Sequence, residues 1–64
     1  MVTVNGEKRD SEGGTILDYL ISYGYDIKRV AVEFNGNILP KGDYDKTVLS
    51  DGDKIEIVSF VGGG

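Results

Sequence analysis

Apolar and polar positions alternate from the first residues: Val2 and Val4 share one face of an extended chain, Thr3 takes the other, and Asn5-Gly6 follows at once. This predicts a strand entering a tight hairpin. A type I′ turn needs positive φ at both central positions, which Gly adopts freely and Asn at modest cost. Residues 7 to 11 form the expected return strand, and their nearly all-charged run, Glu7-Lys8-Arg9-Asp10, suits an exposed edge that resists pairing with another chain. After Gly13-Gly14 the period changes. Ile16, Leu17, Leu20 and Ile21 recur at helical spacing and predict one apolar stripe on a helix running to about Tyr23. Thr15 with Asp18 three residues later provides a capping-box start, and Gly24 is suited to the left-handed residue that ends a helix. Tyr19, Tyr23 and Tyr25 read as aromatics that finish the core with their hydroxyls toward water, ahead of an aromatic ligand box.

Alternation resumes at Val30-Ala31-Val32-Glu33-Phe34, and a second Asn-Gly pair, Asn35-Gly36, turns the chain into Asn37-Ile38-Leu39. Pro40, which lacks an N–H, stops that pairing. Lys41 to Thr47 make a polar connector with room for one helical turn, which Val48-Leu49 should anchor in the core. Asp51-Gly52-Asp53 is a turn. Lys54 to Val61 then form the last strand, with Ile55 and Ile57 on one face and Glu56, Val58 and Phe60 on the other. The order strand, strand, helix, strand, short strand, strand gives an α+β roll: a mixed sheet covered on one face by a single helix. The first and last strands can lie side by side only if they run parallel, joined through the helix as a crossover of the favoured hand. That arrangement is the β-grasp, or ubiquitin-like, fold. Residues 1–61 are expected to form this one domain and residues 62–64 a flexible C-terminal glycine tail.

At 64 residues the chain is near the lower size limit for independent folding. Its 39% hydrophobic and 28% charged content is that of a globular protein. With no Cys and no His, it lacks a thiol nucleophile, an imidazole base and the usual zinc ligands. A net charge of -4 disfavours nucleic acid and anionic membrane surfaces as partners. The first residues do not resemble a leader and no apolar run approaches a membrane span, which predicts a soluble, cytoplasmic protein. Asp43, Asp45, Asp51 and Asp53 do not continue into a calcium loop and read as turn residues, so no metal site is expected. Gly36 to Gly42 lacks the spacing and the Lys-Ser/Thr of a phosphate-binding loop, so no bound ATP is expected. An enzyme acting alone is disfavoured.

The remaining feature is the terminus. Gly62, Gly63 and Gly64 carry no side chains, so this segment is thin enough to enter a narrow channel in a partner. Extended, residues 61–64 reach roughly 13 Å, enough to carry the Gly64 carboxylate into another protein's active site while the globule docks outside. A carboxylate is a poor electrophile, so its chemistry would begin with activation, as an acyl-adenylate made by an ATP-using partner. Val58 and Phe60, apolar on the face away from the helix and followed by Val61, mark a docking surface beside that tail. An inert interaction module remains the alternative from a different class.

Several stretches in this order and spacing resemble one family. They are Val-Asn-Gly-Glu at 4 to 7, Thr-Ile-Leu-Asp at 15 to 18, residues 30 to 41, Leu49, Asp51-Gly52-Asp53, and residues 55 to 64 ending in Val-Gly-Gly-Gly. Together they are similar to the ubiquitin-like sulfur carriers, most closely the ThiS family of thiamine (thiazole) biosynthesis. The resemblance implies that an E1-like adenylating enzyme activates Gly64 with ATP. It implies next that a sulfur donor of cysteine desulfurase or rhodanese type converts Gly64 to a thiocarboxylate, and that thiazole synthase receives the sulfur. Gly62 and Gly63 map onto the threaded tail. Lys41 and Tyr44 stand where the family usually has Arg and an aromatic. The small subunit of molybdopterin synthase, which usually has Pro-Pro where this chain has Ser59-Phe60, and an isopeptide-forming modifier share the same carboxylate activation and stay open.

Overall fold

The structure, a computed structural model, describes residues 1–60. Its elements in order are β1 (Val2–Val4), β2 (Glu7–Arg9), α1 (Ile16–Ser22), a 3-10 turn (Ile27–Arg29), β3 (Val30–Phe34), β4 (Asn37–Leu39), a second 3-10 turn (Lys41–Asp43) and β5 (Lys54–Ser59). The five strands form one sheet in the order β2-β1-β5-β3-β4. β1 and β5 run parallel at its centre, with Val4 opposite Ile55, and the other pairings are antiparallel. This is the mixed, helix-covered β-grasp sheet that the sequence predicts.

Both Asn-Gly pairs form the expected left-handed turns, with φ of 51° and 83° at Asn5 and Gly6 and 50° and 87° at Asn35 and Gly36. The two hairpins flank β5, and the alternation of each strand turns its apolar set inward. Val2, Val4, Val30, Val32, Ile55 and Ile57 make the sheet side of the core. Ile16, Tyr19 and Leu20 of α1 close it from above with Leu49 and Tyr44. Leu20 is fully buried, so Leu20→Ala removes contacts worth about 2–5 kcal/mol.

The capping box is formed at the start of α1. The Asp18 N–H donates to Thr15 Oγ1 at 3.1 Å and the Thr15 N–H donates to Asp18 Oδ2 at 3.2 Å. The connector satisfies two further N–H groups of the first turn, since Ile16 donates to Thr47 O and Leu17 to Tyr44 O. Leu49 is held from both sides, donating to Gly14 O and accepting from the Gly13 N–H.

Five expectations are corrected. Ile21 is not part of the buried stripe and is 62% exposed, whereas Tyr19 is buried. Val48 does not anchor the core: its backbone bridges Thr15, and extended geometry there turns its side chain outward while Leu49 points in. The return strand ends at Arg9, and β5 ends at Ser59, although the Phe60 N–H still pairs with Arg29 O. Tyr44 is a core residue, 2% exposed, where sequence showed only a polar connector.

Candidate functional site

β5 has two unlike faces. Ile55 and Ile57 are buried beneath α1, while Glu56, Val58 and the following Phe60 are exposed on the outer face. Val58 lies opposite Ala31 of β3, and Ile38 of β4, also exposed, lies opposite Glu33. The structure thus brings Val58 and Phe60 to one end of the outer face, where β5 ends. Val61, Gly62, Gly63 and Gly64 lie outside the described residues.

That departure point is fixed by main-chain bonds. The Phe60 N–H donates to Arg29 O at 2.7 Å. Arg29 closes the 3-10 turn, whose start is capped by the Asp26 carboxylate accepting from the Lys28 N–H at 3.0 Å. Lys41 secures the same turn from outside: its Nζ donates to Ile27 O at 2.6 Å and to Val30 O at 2.9 Å. Asp26 also faces the Arg29 side chain, Oδ2 to Nε 3.5 Å. Sequence reasoning missed this device. Lys41 binds carbonyls rather than a charged partner, and no residue pattern signals that.

Of the acidic turn residues, Asp53 is occupied as turn chemistry requires. Asp53 Oδ2 accepts from the Ser50 N–H at 2.8 Å and its Oδ1 accepts from Asn35 Nδ2 at 3.1 Å. Asp51 and Glu12 both pair with the Met1 ammonium. Its hydrogen bonds, to Asp51 first and then Glu12, raise the pKa of the amino group, and the carboxyl of Asp51 is lowered by the same contact. Among the described residues no group of three potential ligands is placed to hold a metal ion, and no helix is long and apolar enough to cross a membrane.

A shallow groove of about 170 Å³ opens beside α1, lined in part by Ser11, Thr15, Asp18 and Tyr19. Tyr23 stacks on Tyr19 at 4.4 Å between centroids, with the Arg9 guanidinium 5.3 Å from the Tyr23 ring. Burial raises the Tyr19 phenol pKa, so the ring stays neutral and serves packing. Neither Val58 nor Phe60 lines this groove.

Comparison with known proteins matches the ThiS family over residues 2–64. The chain belongs to the ThiS family. It is 47% identical over 66 aligned positions to the sulfur carrier protein ThiS of Bacillus subtilis, covering the whole of both chains. A solved structure of the thiamine biosynthesis protein ThiS from Geobacter metallireducens superposes with a TM-score of 0.79 at 33% identity, covering 98% of this chain and 97% of that one. A thiazole synthase of Paramagnetospirillum magneticum is 42% identical over 64 residues, covering 98% of this chain and 20% of that protein. The chain therefore spans about a fifth of the thiazole synthases it matches, and the full length of the Bacillus ThiS. Of the three carrier readings that the residues left open, the ThiS one is selected at the level of family.

Proposed function

We propose that this chain is a sulfur carrier of thiamine biosynthesis whose reacting group is the Gly64 carboxylate. Residues 1–61 serve as the docking domain and residues 62–64 as the segment that carries the reacting carboxylate. An E1-like adenylating enzyme binds ATP; the carrier itself holds no cofactor and performs no catalysis. A Gly64 carboxylate oxygen attacks the α-phosphorus of ATP and pyrophosphate leaves. The terminal sulfur of a persulfide on a cysteine desulfurase or rhodanese-type donor then attacks the mixed anhydride, and AMP departs to leave an acyl disulfide. A thiol attacks the donor's sulfur of that disulfide, forming a thiol–donor disulfide and releasing Gly64 as a thiocarboxylate. Thiazole synthase consumes it. Glycine suits the role because no side chain hinders attack on the carbonyl.

The observation that carries this reading is the placement of exposed Val58 and Phe60 on the outer face, directly ahead of Val-Gly-Gly-Gly. A partner seated there would have the tail delivered to it. The match to part of a protein named thiazole synthase supports that partner in particular, since linking two units on one chain raises their effective concentration. The activation step is tested by pyrophosphate exchange into ATP with the adenylating enzyme present. The full chain supports exchange and a chain ending at Gly63 does not. Equal exchange by both would remove Gly64 from the mechanism.

A further inference from the structure

The outer face has a charge pattern that folding alone does not explain. Glu33 of β3 and Glu56 of β5 are direct cross-strand partners, and both are exposed. The Asn35 N–H donates to Lys54 O at 2.8 Å and the Phe60 N–H to Arg29 O at 2.7 Å, which by alternation makes Glu33 and Glu56 a hydrogen-bonded pair with Cα atoms about 5.5 Å apart. Like charges directly opposite one another destabilise a sheet. Among the described residues neither carboxylate is in an ion pair. Lys54, the nearest cation on the face, is one step of the alternation away from Glu56, about 7 Å along the strand, and opposite Asn35 rather than Glu33. Apolar groups flank the pair: exposed Ile38 beside Glu33, and Val58 and Phe60 toward the tail.

We propose that this face docks the adenylating partner through an arginine of that protein, its guanidinium spanning Glu33 and Glu56 while neighbouring apolar side chains cover Ile38, Val58 and Phe60. The inference rests on the carrier reading, because an enzyme that receives Gly64, only four residues beyond Phe60, must sit against this end of the sheet. Charge complementarity decides the occupant. Two carboxylates side by side fit a planar fork of N–H donors, which bridges two acceptors where an ammonium acts as a point charge. A hard cation would require further oxygen ligands, but the flanking side chains are apolar Ile38 and Val58 and cationic Lys54, and the Asn35 Oδ1 already accepts from the Lys54 N–H. Docking would relieve the repulsion that the free fold carries, so the pair favours the complex at the expense of the isolated domain.

The test is a binding titration of the adenylating enzyme against wild type, Glu33→Gln, Glu56→Gln, the double variant and Lys54→Gln, at low and moderate salt, with the thermal midpoint of each free variant. The proposal expects the double variant to bind about tenfold or more weakly and to lose most of its salt dependence. It also expects the double variant to melt at the same temperature as wild type or higher, and Lys54→Gln to bind no more weakly than wild type. Binding by the double variant within twofold of wild type would overturn the proposal, as would a lowered melting point that accounts for the loss. Pyrophosphate exchange by the full chain and by the double variant, measured beside the titration, separates the two readings. Glutamate-dependent binding without pyrophosphate exchange by the full chain would sink the carrier chemistry and leave the face standing. Normal exchange and binding by the double variant would do the reverse, and no binding by wild type would sink both.

Discussion

The side chain of Asn5 pairs with the backbone of Ile57 as a strand residue would. Its Nδ2 donates to Ile57 O at 3.1 Å, and the Ile57 N–H donates to Asn5 Oδ1 at 2.7 Å. Asn5 sits in the left-handed region, so the residue that turns the first hairpin also extends the short parallel ladder between β1 and β5. Asn35 does half of this at the second hairpin: its Oδ1 accepts from the Lys54 N–H at 2.8 Å, while its Nδ2 donates to Asp53 Oδ1. Both turns thereby fix the strand that leads to the tail.

Asn5→Gly keeps the turn conformation and loses both side-chain bonds to a partly buried main chain, so it is expected to destabilise by about 1–3 kcal/mol. Asn5→Ala adds the strain of positive φ and should cost more. Urea denaturation of both variants measures this; a loss below about 0.5 kcal/mol for Asn5→Gly would mean that water replaces the pairing fully.

Lys41 is expected to act on the tail's point of departure. Lys41→Met loses both bonds to Ile27 O and Val30 O, and the Phe60 amide, which depends on Arg29 O, should exchange with solvent several-fold faster. Lys41→Arg should restore protection, since a guanidinium can reach the same carbonyls. Unchanged Phe60 exchange in Lys41→Met would detach the turn from the strand end.

Phe60→Ala separates docking from folding. At 59% exposed, Phe60 should contribute within about ±0.5 kcal/mol to stability and about 2 kcal/mol or more to binding of the adenylating partner. Comparable losses in both titrations would place Phe60 in the fold rather than at the interface.

The Met1 ammonium predicts a pH window. Its raised pKa means that its contribution is complete below about 8 and lost as pH rises through the folded value. Asp51 is lowered by the Met1 contact, and Glu12 by a backbone hydrogen bond first and the Met1 contact second, so their contributions are complete above about 4.5 and lost as pH falls through the folded values. Melting temperature should therefore be flat from about pH 5 to 8 and fall modestly on both sides. Acetylation of the amino group should flatten the alkaline fall and weaken the acid one. An unaltered profile after acetylation would refute the assignment.

The fold was legible because its local signals agree: two Asn-Gly turns, a capping box and the change of period from two to 3.6 all survive in the structure. The misreadings have geometric causes. At about 100° per residue, Tyr19 and Leu20 fall within about 60° of Ile16 on the helix wheel, while Ile21 falls about 140° away, so a seven-residue helix cannot bury Ile21 against one sheet. Tyr44 and Val48 lie in irregular backbone, where no period says which side chain turns inward. The outward positions of Val58 and Phe60 followed from strand alternation, which the β5 register preserves. The Glu33–Glu56 pairing needed the register between β3 and β5, which joins residues far apart in sequence.

Intact mass spectrometry tests the central claim most directly. After incubation with ATP, the adenylating enzyme and a sulfur source, the chain should gain about 16 Da as one oxygen is exchanged for sulfur, with fragmentation placing the gain on Gly64. An unchanged mass in the presence of a competent enzyme, or a gain located elsewhere in the chain, would contradict the account.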